Sequence, residues 1–181
     1  MKKHAIVALG ALMLAGCETT NTIPYKVSTD NVIAIQNALA GTKVSLGEIS
    51  LAPGVTENVQ CRLAGDVAVA PGKTPREYIK EALKDELFAA QAYAPGSPVT
   101  IDGQIEAFGF SSVSPAHWSV KLHVRSNVSQ GYTVETNYHF DTSWTAYSAC
   151  KNVADAFGPT VSQLIHDVVS NPQFPTLAKA P

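Results

Sequence analysis

Histidines and carboxylates are the residue types in this sequence that could carry acid–base or metal chemistry. His123 and His139 fall at polar positions of two predicted strands, and His166 falls on a predicted helix. No two histidines have the i, i+4 spacing by which one face of a helix binds a metal. A weak surface metal site is one interpretation, but ordinary exposed polar residues explain the pattern better. We therefore predict no metal and no cofactor.

Motifs of well-known enzyme classes are missing from the sequence. It has no G-x-S-x-G motif, no phosphate-binding glycine loop and no dinucleotide-binding fingerprint. The adjacent carboxylates Asp85 and Glu86 are predicted to be neighbours on a helix surface. We predict a protein that is not an enzyme. A deep cleft that gathers His123, Glu135 or Asp141 with perturbed titration would revive the enzymatic alternative.

Cys17 closes a distinctive N-terminal segment. Lys2 and Lys3 come first, a ten-residue apolar run spans residues 5–14, and Leu-Ala-Gly-Cys follows from Leu14. The apolar run is too short to cross a bilayer, which needs about 20 residues. A cationic start, a short apolar run and small residues before a cleavage point are typical of a removed signal.

This segment resembles a bacterial lipoprotein signal peptide with its lipobox. The resemblance implies cleavage of residues 1–16 and attachment of lipid to the sulfur and the amine of Cys17. Two or more acyl chains would make a firm anchor. The next residue is Glu18, and the absence of Asp there favours the outer membrane, with the protein facing the periplasm. The alternative is an ordinary secretory signal with a chance cysteine.

Cys61 and Cys150 are the two cysteines that remain after Cys17. In an exported protein two such thiols usually pair, here across a loop of about 90 residues. Two free thiols are an alternative, and a metal site is disfavoured because no Cys or His lies at ligand spacing from either one. We predict a structural disulfide.

Composition indicates a single globular domain. Hydrophobic residues make up 45% of the 181 residues and charged residues 15%. Without Lys2 and Lys3, 11 Lys and Arg face 15 Asp and Glu, a formal charge of −4. No basic cluster occurs, which disfavours nucleic-acid binding and electrostatic membrane attachment. We predict a lipidated tether over residues 17–29 and one domain over residues 30–181.

Helix signals occur at three places. Asp30 is a predicted N-cap for a short helix over residues 30–40, which Gly41 should end. The Thr74–Glu77 stretch matches a capping box, and the helix it starts should run to about residue 93.

The third helix is predicted over residues 147–170. Gly158-Pro159 should kink or split it, because proline lacks an N–H donor and clashes with the preceding turn. The tail after residue 172 should dock through Phe174.

Alternating apolar and polar residues predict strands over residues 42–51, 99–110, 118–125 and 133–141. A change of phase at Gly47-Glu48 indicates a bulge. Placing a hairpin loop at residues 127–131 pairs Arg125 with Thr133. That register puts Trp118 opposite Phe140 and His123 opposite Glu135.

These elements predict an α+β fold in the order short helix-β-α-β-β-β-α, with an antiparallel sheet of about four strands packed by two main helices. Trp118 and Trp144 fall near one end of the sheet, where they either contact a partner or pack in the core or its rim. The polar sheet face is mixed in charge and either solvated or covered by a protein partner. It carries Lys121, Arg125, Glu135 and Asp141.

The element order resembles small α+β lipoproteins that assist envelope machines, such as the lipoprotein subunit of the lipopolysaccharide translocon and the lipoprotein activators of penicillin-binding proteins. The sequence is also similar to uncharacterised proteobacterial outer-membrane lipoproteins. The shared residues are Cys61, the stretch 78–87, Trp118, Trp144 with Cys150, and the stretch 172–174. This resemblance implies a fold and a location.

These observations lead to one functional prediction and one alternative. We predict a membrane-anchored, non-enzymatic lipoprotein that binds a protein partner in the periplasm as an accessory of the cell envelope. The alternative is a carrier or sensor of a small amphiphile, held in a pocket between the helices and the sheet.

Overall fold

Local sequence signals set the ends of several helices and strands in this protein. The structure is a computed structural model that describes residues 23–62, 65–70 and 72–179, together with the backbone of residues 19–20. Within those ranges the elements in chain order are β1 (Thr19–Thr20), α1 (Thr29–Leu39), β2 (Ser45–Leu51), β3 (Val67–Ala68), α2 (Pro75–Ala89), β4 (Thr100–Ser111), β5 (His117–Ser126), β6 (Ser129–His139), α3 (Ala146–Val169) and a 3-10 helix (Phe174–Ala178).

Four strands form one sheet in the order β2-β4-β5-β6. β4, β5 and β6 are antiparallel neighbours, whereas β2 runs parallel to β4 at one edge. The parallel pairing follows from the long connection between these two strands, since it contains α2 and returns the chain in the same direction. The predicted α+β fold, with a short helix first and a sheet of four strands, is confirmed. The sheet was expected to be antiparallel, and it is so except for the parallel edge strand β2.

The core lies between one face of this sheet and the helices. Trp118 is fully buried there, with its ring centroid 5.0 Å from that of Phe157 on α3. Its Nε1 donates a hydrogen bond to Val153 O at 2.8 Å. The interpretation of Trp118 as a partner contact is therefore wrong. The alternation of β5 turns the indole toward the helices, where its N–H finds an acceptor.

α2 begins as predicted. Glu77 N donates to Thr74 Oγ1 at 3.4 Å, and Thr74 N donates to Glu77 Oε2 at 2.8 Å, which together form the capping box. The helix ends at Ala89, four residues earlier than predicted. After Ala89 the chain turns, with Gln91 at a φ of 57°, and the next residues contact the chain just before β2, where Val44 N donates to Ala92 O at 2.8 Å.

The N-cap of α1 is Ser28, so the prediction of Asp30 is wrong. Asn31 N donates to Ser28 Oγ at 3.4 Å. Serine and aspartate both make good N-caps. Ser28 is the N-cap here because Ser28 and Asn31 contact Glu86 on α2, and the local sequence gives no sign of these distant contacts. Ala40, with φ of 46°, takes the left-handed conformation one residue before the predicted stop at Gly41.

A bulge interrupts the pairing of β2 with β4, where the register shifts between Leu46 and Ile49. It confirms the prediction of a bulge at Gly47-Glu48. The extra residue lets β2 keep apolar side chains facing the core on both sides of the bulge.

The β5–β6 hairpin has a different register from the predicted one. Ser126 pairs with Ser129, so the turn contains two residues instead of five. Gln130 and Gly131 then lie opposite the single residue Arg125. This turn and bulge shift every predicted pair by two residues. The observed pairs are Trp118 with Tyr138, Lys121 with Glu135, and His123 with Thr133.

α3 is one continuous helix of 24 residues, so the alternative in which Gly158-Pro159 splits it is wrong. An interior proline costs about 3 kcal/mol or more. The helix buries apolar side chains on both sides of the proline, which offsets that cost. They include Val153, Phe157, Val161, Leu164 and Ile165. The tail docks as predicted, because Phe174 is buried, and Leu177 is buried beside it.

Cys61 and Cys150 form the predicted disulfide, with their Cα atoms 5.7 Å apart. The bond joins the loop after β2 to the start of α3 across a sequence separation of 89 residues. The alternatives of free thiols and of a metal site at these cysteines are excluded.

The double variant Cys61→Ala/Cys150→Ala should lose about 2–5 kcal/mol of unfolding free energy, since a long loop is no longer closed in the unfolded chain. Urea denaturation followed by circular dichroism measures this loss. Reduced wild-type protein is the matched control and should unfold at the same urea concentration as the variant. An unchanged midpoint in the variant would contradict the structural role of the bond.

Gly131→Ala should destabilise the protein far more than Gly96→Ala. Both glycines have positive φ, 78° and 77°, but a Cβ at Gly131 would lie 1.7 Å from Val124 O, whereas one at Gly96 meets no described atom within 4 Å. We expect a loss of about 1–2 kcal/mol at Gly96 and about 1–3 kcal/mol more at Gly131. Equal losses in thermal unfolding would show that the hairpin does not have this register.

Candidate functional site

A buried carboxyl group lies where the N-terminal segment meets the helices. Glu86 on α2 is 0% exposed, so the interpretation of Asp85 and Glu86 as surface neighbours is wrong for the second of them. Glu86 follows Ala82 by four residues and Leu83 by three, which places it on the inner face of α2. Asp85 remains exposed.

One oxygen of this carboxyl group accepts three hydrogen bonds. Glu86 Oε1 accepts from Tyr25 Oη at 2.6 Å, from Ser28 N at 2.9 Å and from Asn31 Nδ2 at 3.3 Å. Glu86 Oε2 is buried and has no hydrogen-bond partner among the described residues. These bonds hold the N-terminal segment and α1 against α2.

Asn31 extends the contacts of Glu86 to α3. Its Nδ2 also donates to Ser162 O at 3.1 Å, and its Oδ1 accepts from His166 Nδ1 at 3.2 Å. Asn31 is buried, and both polar atoms of its side-chain amide have hydrogen-bond partners, as burial of a polar group requires. The polar junction, formed by Tyr25, Ser28, Asn31, Glu86 and His166, joins the N-terminal segment and the three helices at one point.

The N-terminal segment is packed against the domain. Residues 23–30 and one side of α3 line an open groove of about 500 Å³, which includes Asp155, Gly158 and Pro159. Burial and the hydrogen bond to Glu86 raise the pKa of Tyr25, which keeps its phenol neutral and donating. Within the predicted lipidated tether over residues 17–29, the polar junction holds Tyr25 and Ser28 against the helices.

The groove differs from the pocket that the amphiphile alternative requires. That alternative places a ligand between helices and sheet, whereas this groove is open at the surface beside α3. The amphiphile alternative therefore stays a prediction.

A second notable cluster surrounds the disulfide. Arg62, next to Cys61, donates from Nε to Ser112 Oγ at 3.0 Å and from Nη1 to Ser143 O at 3.0 Å. Its Nη2 donates to Ser112 O and to Thr142 Oγ1. The guanidinium thus joins the β4–β5 loop to the β6–α3 loop. We call this arrangement of Cys61, Arg62 and Cys150 the disulfide corner.

The two loops joined at the disulfide corner, together with the first turn of α3, expose large apolar side chains. Trp144 is 102% exposed, Tyr147 is 75% exposed and Val113 is 61% exposed. A shallow groove of about 380 Å³ lies beside Trp144, against Arg62 and the loop residue Val113. Of the two tryptophans predicted as possible partner contacts, the structure leaves Trp144 available. We call Val113, Trp144 and Tyr147 the aromatic end.

The polar face of the sheet is open to solvent. Arg125 and Glu135 are exposed there, Lys121 is half-buried, and Asp141 is exposed just beyond β6. Lys121 Nζ lies 3.6 Å from Glu106 Oε2, an ion pair that contributes little in water. Opposite charges alternate across this face, and the exposed residues belong mainly to β6.

The histidines are not gathered into one site. His123 bonds Thr133 Oγ1 and Gln130 O, and His166 belongs to the polar junction. His139 faces His117, with ring centroids 5.6 Å apart. Across the described ranges, no group of three or more His, Cys, Asp or Glu residues could hold a metal ion. His123, Glu135 and Asp141 line neither the groove beside α3 nor the groove beside Trp144.

Cys17 and the predicted signal over residues 1–16 lie outside the described residues. Among the helices that the structure describes, none is long and apolar enough to cross a membrane.

Sequence reasoning missed Tyr25, Asn31, Arg62 and Glu86. A signal for Glu86 exists, because its position continues the apolar stripe of Ile79, Ala82, Leu83, Leu87 and Ala90. No comparable local signal marks Arg62, whose partners are 50 to 82 residues away.

One comparison with a solved structure supports the fold. A crystal structure of a Xanthomonas campestris protein of family model DUF330 is similar at a TM-score of 0.51 and 10% identity, covering 88% of this chain and 91% of that one. A hypothetical protein from Chlamydia trachomatis matches at a TM-score of 0.40 and 8% identity, covering 72% of this chain and 99% of that one. No protein-family model matches the sequence, and no curated protein matches it. The Xanthomonas likeness shows a shared fold.

Stability should fall as the pH rises above about 10, the ordinary pKa of tyrosine. Burial raises the pKa of Tyr132, whose hydroxyl donates to Val168 O at 2.6 Å, and burial also raises the pKa of Tyr25 and Tyr78. The unfolded chain then loses protons that the folded chain keeps, so stability present below pH 10 is lost above it.

Urea denaturation at pH 9, 10 and 11 measures this dependence. Tyr132→Phe should remove up to about 1.4 kcal/mol per pH unit from the alkaline slope. Tyr147→Phe, at an exposed position, is the control and should keep the wild-type slope. A slope that is the same in all three proteins would contradict the role of the buried phenol.

Proposed function

We propose that this protein is a bacterial lipoprotein, anchored through lipid on Cys17 in the outer membrane and facing the periplasm, where it binds a protein partner without catalysing a reaction. The observation that carries the proposal is the N-terminal pattern of two lysines, a ten-residue apolar run and Leu-Ala-Gly-Cys. The first residues that the structure places, Thr19–Thr20 in β1, follow Cys17 by two positions.

The disulfide supports an oxidising compartment. Disulfides persist in exported proteins and are rare in the cytosol, where thiols are kept reduced. The Cys61–Cys150 bond therefore fits the periplasm.

The polar sheet face supports a protein partner. It presents Arg125 and Glu135 beside the half-buried Lys121, so charges of both signs lie within one open surface. Mixed charges of this kind favour a partner with a complementary pattern, because complementary charges guide docking and reject wrong partners. The resemblance of the element order to lipoproteins that assist envelope machines points to an accessory role in the cell envelope.

Cys17→Ser tests the anchor. Cells that express the wild-type chain should incorporate radioactive palmitate into it and retain it in outer-membrane fractions. The variant should carry no label and should keep its signal peptide. Membrane-associated, processed Cys17→Ser protein would contradict the lipoprotein proposal.

Site-specific photocrosslinking in intact cells tests the partner surface. A photoreactive residue in place of Glu135, on the open face of β6, should give one crosslinked product of defined mass. The same residue in place of Lys84, exposed on α2, is the matched control and should not give it. Absence of a specific product at Glu135, or the same product at both positions, would count against a partner on this face.

A further inference from the structure

We propose that the aromatic end of the domain, formed by Val113, Trp144 and Tyr147, rests on the phospholipid bilayer that holds the lipid on Cys17. This inference rests on the proposed lipid anchor and adds to it an orientation of the domain. Its basis is the course of the N-terminal segment along α3 and the side chains that are exposed at the end of the domain to which that segment leads.

The N-terminal segment runs antiparallel to α3. Asn31 bonds Ser162 and His166 in the second half of that helix. Tyr25, six residues earlier, packs on Tyr78, whose ring lies 5.4 Å from that of Phe157. Going back along the chain from α1 therefore leads toward the start of α3.

β1 continues this course toward the disulfide corner. Thr19–Thr20 pairs in parallel with Val67–Ala68. Val67 N in turn donates to Val59 O at 3.0 Å, and Cys61 lies two residues after Val59. Two strand spacings, two residues of chain and the disulfide separate Thr19 from Cys150, a path of about 20–25 Å.

Cys17 is two residues before Thr19 and therefore within about 7 Å of it. Asn31 lies beside the second half of α3, and Tyr25 lies nearer the middle of that helix through Tyr78 and Phe157. Because the chain before Tyr25 leads on to β1 in the same direction, a lipid on Cys17 would leave the domain near the end where α3 starts. The side chains exposed at that end are the ones nearest to the bilayer.

Those side chains have the chemistry of a membrane interface. Tryptophan and tyrosine combine an apolar ring with a polar group and concentrate at the boundary between lipid tails and water. Trp144 and Tyr147 are exposed by 102% and 75%, and Val113 adds an aliphatic group beside them. Arg62 fixes the two loops, since it donates to backbone oxygens of Ser112 and Ser143.

The opposite end of the sheet offers a matched control. Phe88 on α2 is 72% exposed, so it is also a large exposed aromatic residue. It lies four residues before Ala92, which bonds Val44 beside the first residues of β2 and β4. β4 spans twelve residues from that end to the aromatic end, a distance of about 36 Å. An aromatic residue at position 88 should therefore lie far from the bilayer.

Tryptophan fluorescence of the full lipidated chain in vesicles tests the orientation. The vesicles contain phosphatidylethanolamine and phosphatidylglycerol, either unmodified or with bromine on the acyl chains, which quenches tryptophan on contact. The sequence has two tryptophans, and Trp118 is buried. We expect brominated lipid to reduce wild-type emission, and to leave the emission of Trp144→Phe unchanged. Trp144→Phe/Phe88→Trp should also stay unquenched.

Flotation of the same vesicles separates the two proposals. Wild-type protein that floats with vesicles but shows no quenching would overturn the orientation and leave the anchor intact. Quenching that persists in Trp144→Phe, or that is as strong with tryptophan at position 88, would also overturn it. Wild-type protein that fails to float would overturn the lipid anchor, and the orientation with it.

Discussion

The disulfide corner is the constraint on which one whole end of this domain depends. Cys61 and Arg62 belong to a loop without regular structure, yet a covalent bond and a guanidinium with several hydrogen bonds fix them to α3 and to two other loops. Arginine suits this position, because its planar group donates in several directions at once. This corner holds together the two loops that carry Val113 and Trp144.

The polar junction holds the helices together, as the disulfide corner holds the loops together. Glu86 is a costly residue to bury, and within the described chain its Oε1 accepts hydrogen bonds from residues that precede Glu86 by more than fifty positions. The hydrogen bonds of Glu86 Oε1 therefore depend on tertiary structure, because their donors lie in α1 and the N-terminal segment and not in α2. Such a contact selects one arrangement of the helices over others with similar apolar packing.

Sequence reasoning succeeded where a signal is local and failed where a partner is distant. The capping box at Thr74 and the bulge at Gly47-Glu48 are encoded within a few residues, and both were predicted correctly. The disulfide was predictable because only one pair of cysteines remained. The hairpin register depends on Gly131, which the local sequence places in a loop, although its missing Cβ serves a bulge inside β6. Asn31 and Tyr25 could not be assigned, since their partners are separated from them by more than fifty residues.

The buried carboxyl group of Glu86 also defines where this folding unit begins. A shortened chain starting at residue 30 would lack Tyr25 and Ser28, and it would leave Glu86 Oε1 with Asn31 as its remaining donor. Removing donors from a buried carboxylate costs much more than removing exposed contacts. Expression of the domain by itself should therefore start upstream of Ile23, even though composition alone marks those residues as a linker.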